Sequence, residues 1–264
     1  MTRTPAAFFE VVNDVFVGTL AARGPWSMDH CHAGPVIGLI ARAIEQEEET
    51  GKFLTRLTVD LHAPIPLAGF KVQANKVKSG HNISVTNAEV LALDGKILAS
   101  ARGLWVGESD VGDVPTAPVQ PLKLSEANEA PFPGTRGSQM PSSFTSFIDV
   151  AYPPDETEDL GAKTLWIRTL PLLVGEEPSS FQRICPIADS GSGISRNAEV
   201  TDYIFMNPEI TILRHRASSS EWLATTARSD WQSNGIGMAT SVIRDEDGPV
   251  ATALQTLLLR KREG

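Results

Sequence analysis

At 264 residues, 41% of them hydrophobic, the chain is long enough to bury a substantial core as one large domain or two of moderate size. A net charge of −9 with scattered basic residues argues against a nucleic-acid partner, which needs clustered Lys and Arg. Two cysteines, Cys31 and Cys185, are too few for a disulfide scaffold; no run reaches the roughly 18 apolar residues of a membrane span, and no secretory signal opens the chain, so a cytoplasmic protein without membrane insertion is expected.

In chain order, FFEVVNDVFVGTL (8–20) offers short strand candidates. The run Asp29-His30-Cys31-His32 invites a metal reading, but no second ligand cluster stands at a recognised spacing, so a loop entering a helix and no metal is expected. That helix is GPVIGLIARAIEQEEETG (34–51): Pro35 suits a first turn, Ile37, Ile40, Ala41 and Ile44 form an apolar stripe, and Gly51 is placed to end it. Four strands of about ten residues follow, the last two joined at Asp94-Gly95, a pair that favours a tight hairpin. Residues 107–160 hold eight of the eighteen prolines and read as a surface linker with little regular structure. Beyond it come a strand in TLWIRTLPLL (164–173), a helix near 179–195 that Pro186 interrupts or kinks, and four more strands.

The chain repeats itself. Thr58 and His62 recur as Thr211 and His215, and Asp94-Gly95 as Asp247-Gly248, always 153 residues on. A helix and a long antiparallel meander, given twice, predict a sheet wrapped around its own helix, with two such units side by side. The predicted divisions are 1–108, 109–160 as the Pro-rich linker, and 161–264. In ATALQTLLLR (251–260), Ala251, Ala253, Gln255, Leu257 and Leu259 share one strand face, apolar except for one amide. A buried amide without partners costs about 1–3 kcal/mol, so Gln255 needs partners or a task. The 153 offset places Arg102 opposite Gln255 in the first copy.

The duplicated pattern, carried by HAGPVIGLIARAIE, LTVDLHAPIP, YIFMNPEITILRHR and DGPVATALQTLLLR, resembles the double-hotdog acyl-CoA thioesterases of the thioesterase II type over nearly the whole chain apart from the linker. The resemblance implies an α+β fold of two tandem hotdog units, an acyl-CoA substrate, no bound cofactor, and a homodimer formed through sheet edges. It also implies a site of three polar residues in the second copy: Asp189 on the helix, Asn207 where the family has Thr, and Gln255 on the last strand. Thioester hydrolysis needs a positioned water, a group to take its proton and donors for the oxyanion. Asp189 would be the base, its pKa raised by burial; Asn207 and Gln255 would hold the same water; and the Gly34 N–H at the start of the first helix would meet the oxyanion. The 153 offset sets Asp189 against Val36 and Asn207 against Leu54, so the trio exists in one copy and one site per chain is expected.

Other features have blander readings. His62 and His215 are expected to serve packing or backbone hydrogen bonds. Ser190, Ser192 and Ser195 lack a nucleophile elbow, and Gly235-Ile236-Gly237 lacks a dinucleotide loop's third glycine and reads as a strand bulge. Arg214 and Arg216 near the mouth of the second sheet are candidates for a CoA phosphate. A non-catalytic acyl-CoA or lipid-binding protein is the chief alternative; hotdog hydratases and dehydratases pair an Asp with a nearby His at the site, and no His is expected near Asp189.

Overall fold

A computed structural model describes residues 5–47, 51–136 and 141–262. The first half opens with the hairpin β1 (Phe9–Val12) and β2 (Val15–Gly18), turned at Asn13 and Asp14 with φ of 50° and 62°, the left-handed pair that a two-residue hairpin demands. Helix α1 (Ala33–Gln46) follows, then β3 (Lys52–Leu61), β4 (Lys71–Lys78), β5 (Ile83–Leu91) and β6 (Ile97–Gly107). The second half has β7 (Asn128–Glu129), β8 (Asp149–Tyr152), β9 (Lys163–Arg168), α2 (Ser180–Asp189), the single turn α3 (Gly191–Ile194), β10 (Tyr203–Met206), β11 (Glu209–Arg214), β12 (Leu223–Trp231), β13 (Ile236–Asp245) and β14 (Gly248–Lys261).

Apart from the β1–β2 hairpin these strands make one twelve-stranded antiparallel sheet, ordered β4-β5-β6-β3-β11-β14-β13-β12-β9-β8-β7, with β10 also on β14. The order β3-β6-β5-β4 is repeated as β11-β14-β13-β12. The copies meet where β3 pairs β11, and there Thr58 faces its own repeat image Thr211, with the two Oγ1 atoms 3.1 Å apart. A pseudo-twofold axis therefore passes between them.

Helix α1 is buried along most of its length, including Val36, Ile37, Leu39, Ile40 and Ile44, and packs against α2 and strands β3–β6 in one continuous core. Each such side chain contributes about 1.5–3 kcal/mol by leaving water. The helix ends at Gln46, capped by Glu47, a turn short of Gly51; residues 48–50 lie outside the described ones. Helix α2 runs through Pro186 and stops at Asp189, where Ser190 begins a short irregular turn.

Three expectations change. The Pro-rich stretch contributes β7 and β8 to the sheet, and buries Phe132 and Phe144. Gly235, φ +83°, sits in the β12–β13 turn; the bulge of β13 is at Ile243/Arg244. The offset also slips in the last strand. Thr58 pairs Arg102 and Thr86 pairs Gly103, whereas Thr211 pairs Leu254 and Ala239 pairs Gln255. Gln255 therefore corresponds to Gly103, not Arg102. The cause is the final hairpin: the first copy turns through Leu93, Asp94 and Gly95 between Ala92 and Lys96, whereas the second turns through Glu246 and Asp247 alone, between Asp245 and Gly248. One residue fewer shifts every later position by one and would reverse its face. Gly103 needs no side chain because Ile44 and Leu54 fill its place: a Cβ there would lie 3.0 Å from Ile44 Cγ2.

Candidate active site

The two central helices run antiparallel, so the N-terminus of α1 meets the C-terminus of α2. Gly34 makes that approach possible: a Cβ there would stand 2.8 Å from Pro186 Cα and 3.1 Å from Asp189 Cβ. Backbone cannot yield as a flexible side chain does. Gly34→Ala is expected to cost about 1–3 kcal/mol, an overpacking penalty, and to lower activity by spreading the helix ends; thermal unfolding and turnover measured together check this.

Asp189 lies at this junction, 6% exposed. Asn207 Nδ2 donates to its Oδ1 at 2.9 Å, and Gln255 Nε2 lies 3.4 Å from the same oxygen and 3.2 Å from the Asp189 carbonyl. On the other oxygen, His32 Nδ1 stands 3.0 Å from Oδ2. The Gly34 N–H lies 3.2 Å from that same Nδ1 and also reaches the carboxylate. One nitrogen cannot accept from Gly34 and donate to Asp189 at once. Facing an ionised carboxylate, Nδ1 must carry the proton, since two lone pairs at 3.0 Å would repel; the Gly34 N–H then serves the carboxylate too.

The carboxylate thus gathers four donors, about its full lone-pair capacity. Burial alone pushes its pKa up, but the positive charge that His32 carries whenever it is protonated, and hydrogen bonds from His32, Asn207 and Gly34, outweigh that and hold it below the ordinary value. This reverses the expectation of a raised pKa. An ionised carboxylate with every lone pair engaged is a weak proton acceptor.

Gln255 resolves differently from Asp189. It is 1% exposed, its Nε2 serves Asp189, and its Oε1 accepts the Ser192 N–H at 3.2 Å. It ties the end of α2 to the start of α3 and stands off the cavity wall, as does Gly34. Gln255→Ala is expected to destabilise by about 2–3 kcal/mol, since it leaves the Ser192 N–H and one carboxylate lone pair unmatched in the core; denaturant unfolding is the check.

The wall itself carries Asp189, Asn207 and His32, around a cavity of about 880 Å³. His32 is the N-cap of α1, and its ring stacks on Phe144 from the Pro-rich stretch, with centroids 4.2 Å apart and planes 18° from parallel. Its Nδ1 is held by Asp189, while Nε2 has no hydrogen-bond partner among the described residues. His32 is the residue that sequence reasoning passed over, and the statement that no His lies near Asp189 is overturned. The helices bring together what the sequence separates by 157 positions. A histidine directly before a helix whose N-terminus was already suspected of a role was the available signal.

The other candidates have other tasks. Ser190 Oγ donates to Pro186 O and Ser195 Oγ to Gly191 O. Cys31 is pushed up to about 12 by burial and stays a thiol. His62, beyond β3, meets Ser100 Oγ at 3.0 Å and lines the cavity; His215 donates its backbone N–H to Val250 O. Arg214 is not a phosphate contact. It is buried over the Phe53 ring, 3.9 Å from its centroid, and donates to Leu54 O. Arg216 is spent on Asp245. At the opposite helix ends Glu45 takes hydrogen bonds from Ser179 and Gln182, so the mirrored junction holds a carboxylate without a histidine.

No curated protein matches the chain by sequence. Among solved structures it resembles, over 98% of its length, a hot dog fold protein of unknown function from Alicyclobacillus acidocaldarius (TM-score 0.71, 16% identity, 97% of that chain covered). It resembles the acyl-CoA thioesterase II TesB2 of Mycobacterium marinum over 97% (TM-score 0.65, 14% identity, 95% of that chain), and a tesB protein of Mycobacterium avium subspecies paratuberculosis over 96% (TM-score 0.66, 16% identity, 95% of that chain). These likenesses establish the α+β double-hotdog fold. Two family models match in order along the chain, the acyl-CoA thioesterase N-terminal domain on residues 22–106 and the acyl-CoA thioesterase C-terminal domain on residues 124–259. The second begins inside the Pro-rich stretch, where β7 and β8 join the sheet. With both domain models matched on one duplicated sheet, the chain belongs to the acyl-CoA thioesterase family.

Proposed function

We propose that this protein hydrolyses acyl-CoA thioesters with a water activated by His32, which Asp189 holds in place. The observation that carries the reading is the His32 Nδ1 to Asp189 Oδ2 distance of 3.0 Å on the wall of the cavity. Fixing the proton on Nδ1 leaves Nε2 as the basic nitrogen, as a general base requires. Asn207 must turn its NH₂ toward the carboxylate, so its Oδ1 remains an acceptor for the second water proton. The water oxygen bonds to the thioester carbon while Nε2 takes its proton. The Ala33 N–H, which a first-turn position leaves without a partner in its own helix, meets the oxyanion in place of the engaged Gly34 N–H. Collapse breaks the C–S bond, and His32 returns the proton to the CoA sulfur, giving a carboxylic acid and free CoA.

In this scheme Asp189, Gln255 and Gly34 are positioning residues, and His32 and Asn207 touch the reacting water. The test is thiol release from a panel of acyl-CoAs. Release by the parent and its loss in His32→Gln support hydrolysis, whereas tight acyl-CoA binding with no release on any chain length supports the binding-protein alternative. The same Asp–His pair also favours a second reading, hydration of an enoyl-CoA double bond, because the ground for setting it aside has gone. Loss of enoyl absorbance without thiol release would identify that reaction; the family match favours hydrolysis.

A further inference from the structure

Net charge and cavity charge disagree in this molecule. The chain carries −9, yet among the described residues the cavity wall sets two arginines, Arg196 and Arg262, against one carboxylate, Asp189, which His32 already faces. Such a wall concentrates anions. Arg196 is the unusual member. It is 3% exposed, and its Nε and Nη1 are buried with no hydrogen-bond partner among the described residues. Only Nη2 has an acceptor, Glu199 Oε2 at 3.3 Å, on a side chain that is half exposed. Its guanidinium packs against the turn at Gly134, also on the wall, where a Cβ would lie 2.5 Å from Nη2. A buried guanidinium with two unmatched donors is expensive, and such groups persist where a ligand completes them.

Arg196 stands seven residues beyond Asp189, past the turn α3, and both line the cavity. We infer that Arg196 receives a carboxylate at the far end of the acyl chain, so the preferred substrates are ω-carboxyacyl-CoA thioesters. This rests on the thioesterase reading and names its substrate class. A carboxylate matches the guanidinium fork with two parallel hydrogen bonds, and Glu199 can give way to solvent when it arrives. The Gly134 turn, which lies against Nη2, Cζ and Nε, is the part of the wall that would have to shift to admit it. The phosphates of CoA share the anionic chemistry, but they are bulky and heavily hydrated, which suits the mouth better than a residue 3% exposed.

The test compares kcat/KM for adipoyl- and suberoyl-CoA with hexanoyl- and octanoyl-CoA, pairs that differ in the terminal carboxylate, using the parent, Arg196→Gln and Arg196→Lys. The parent should favour the carboxylated member, and Arg196→Gln should cut that ratio about 10- to 100-fold, the worth of hydrogen bonds to a charge, with Arg196→Lys intermediate. The ratio should fall equally in the matching acyl-pantetheine thioesters, which lack the nucleotide phosphates. Equal losses on both members of each pair, or a change confined to CoA thioesters, would assign Arg196 to folding or to CoA and overturn the inference. So would a parent without preference, a result that needs no variant to fold. If the parent releases no thiol from any of them, the thioesterase reading fails by itself, and calorimetric binding of the same four CoA thioesters reads the same ratio with the same two outcomes.

Discussion

His32→Gln should lower kcat by about 10²- to 10⁴-fold, the range a positioned general base supplies, with little change in KM. Glutamine reaches a similar volume and can still donate to Asp189, so the carboxylate keeps a partner and the junction of α1 and α2 survives. What the variant lacks is a basic nitrogen. The ring also rests on Phe144 with centroids 4.2 Å apart, so a modest loss of stability accompanies the catalytic one. Steady-state thiol release, alongside a melting curve showing a folded variant, separates the two effects. A fall in kcat/KM carried mostly by KM would make His32 a substrate contact rather than a base.

Asp189→Asn should lower kcat on the order of 10⁴-fold, the size of the loss when the carboxylate behind a catalytic histidine becomes an amide. An NH₂ now faces at least one of the four donors that the carboxylate accepted, and the imidazole loses its reason to keep the proton on Nδ1. Breaking this buried cluster should also cost about 3–5 kcal/mol of stability. The acid limb carries a second signature. Asp189 has a folded pKa below its ordinary value of 3.8. A depressed carboxylate contributes stability in full above its unfolded pKa, and the contribution is lost as pH falls through the folded value. The parent should therefore lose stability more steeply below about pH 4 than Asp189→Asn, which has no group to titrate there. Denaturant unfolding across that range measures the difference.

Much of the fold was legible because duplication and alternation are strong signals. Thr58 and Thr211, matched by offset alone, proved to face each other at the pseudo-twofold axis. The alternation in ATALQTLLLR placed Gln255 on the buried face correctly. Its counterpart was misassigned because a gap of one residue in a hairpin leaves the Asp-Gly signal in register while moving the strand after it. The site was less legible for a physical reason: an antiparallel pair of helices assembles it from the two halves of the chain. Asp189, Asn207 and Gln255 could be found by family order within the second copy. His32, contributed by the first copy across the junction, could not. Nor does residue type reveal saturation. That Asp189 gathers Asn207, Gln255 and His32, and that Gln255 turns both ends of its amide to Asp189 and Ser192, depends on distances of 2.9 to 3.4 Å that only the assembled core provides.

The most direct measurement is a double-mutant cycle on turnover, comparing kcat for the parent, His32→Gln, Asp189→Asn and the double variant on one acyl-CoA. If Asp189 acts through His32, the double variant will be about as slow as the worse single one, because the second substitution removes support from a base already gone. Losses that multiply, or a His32→Gln enzyme within a few-fold of the parent while Asp189→Asn is inactive, would mean that Asp189 activates the water itself.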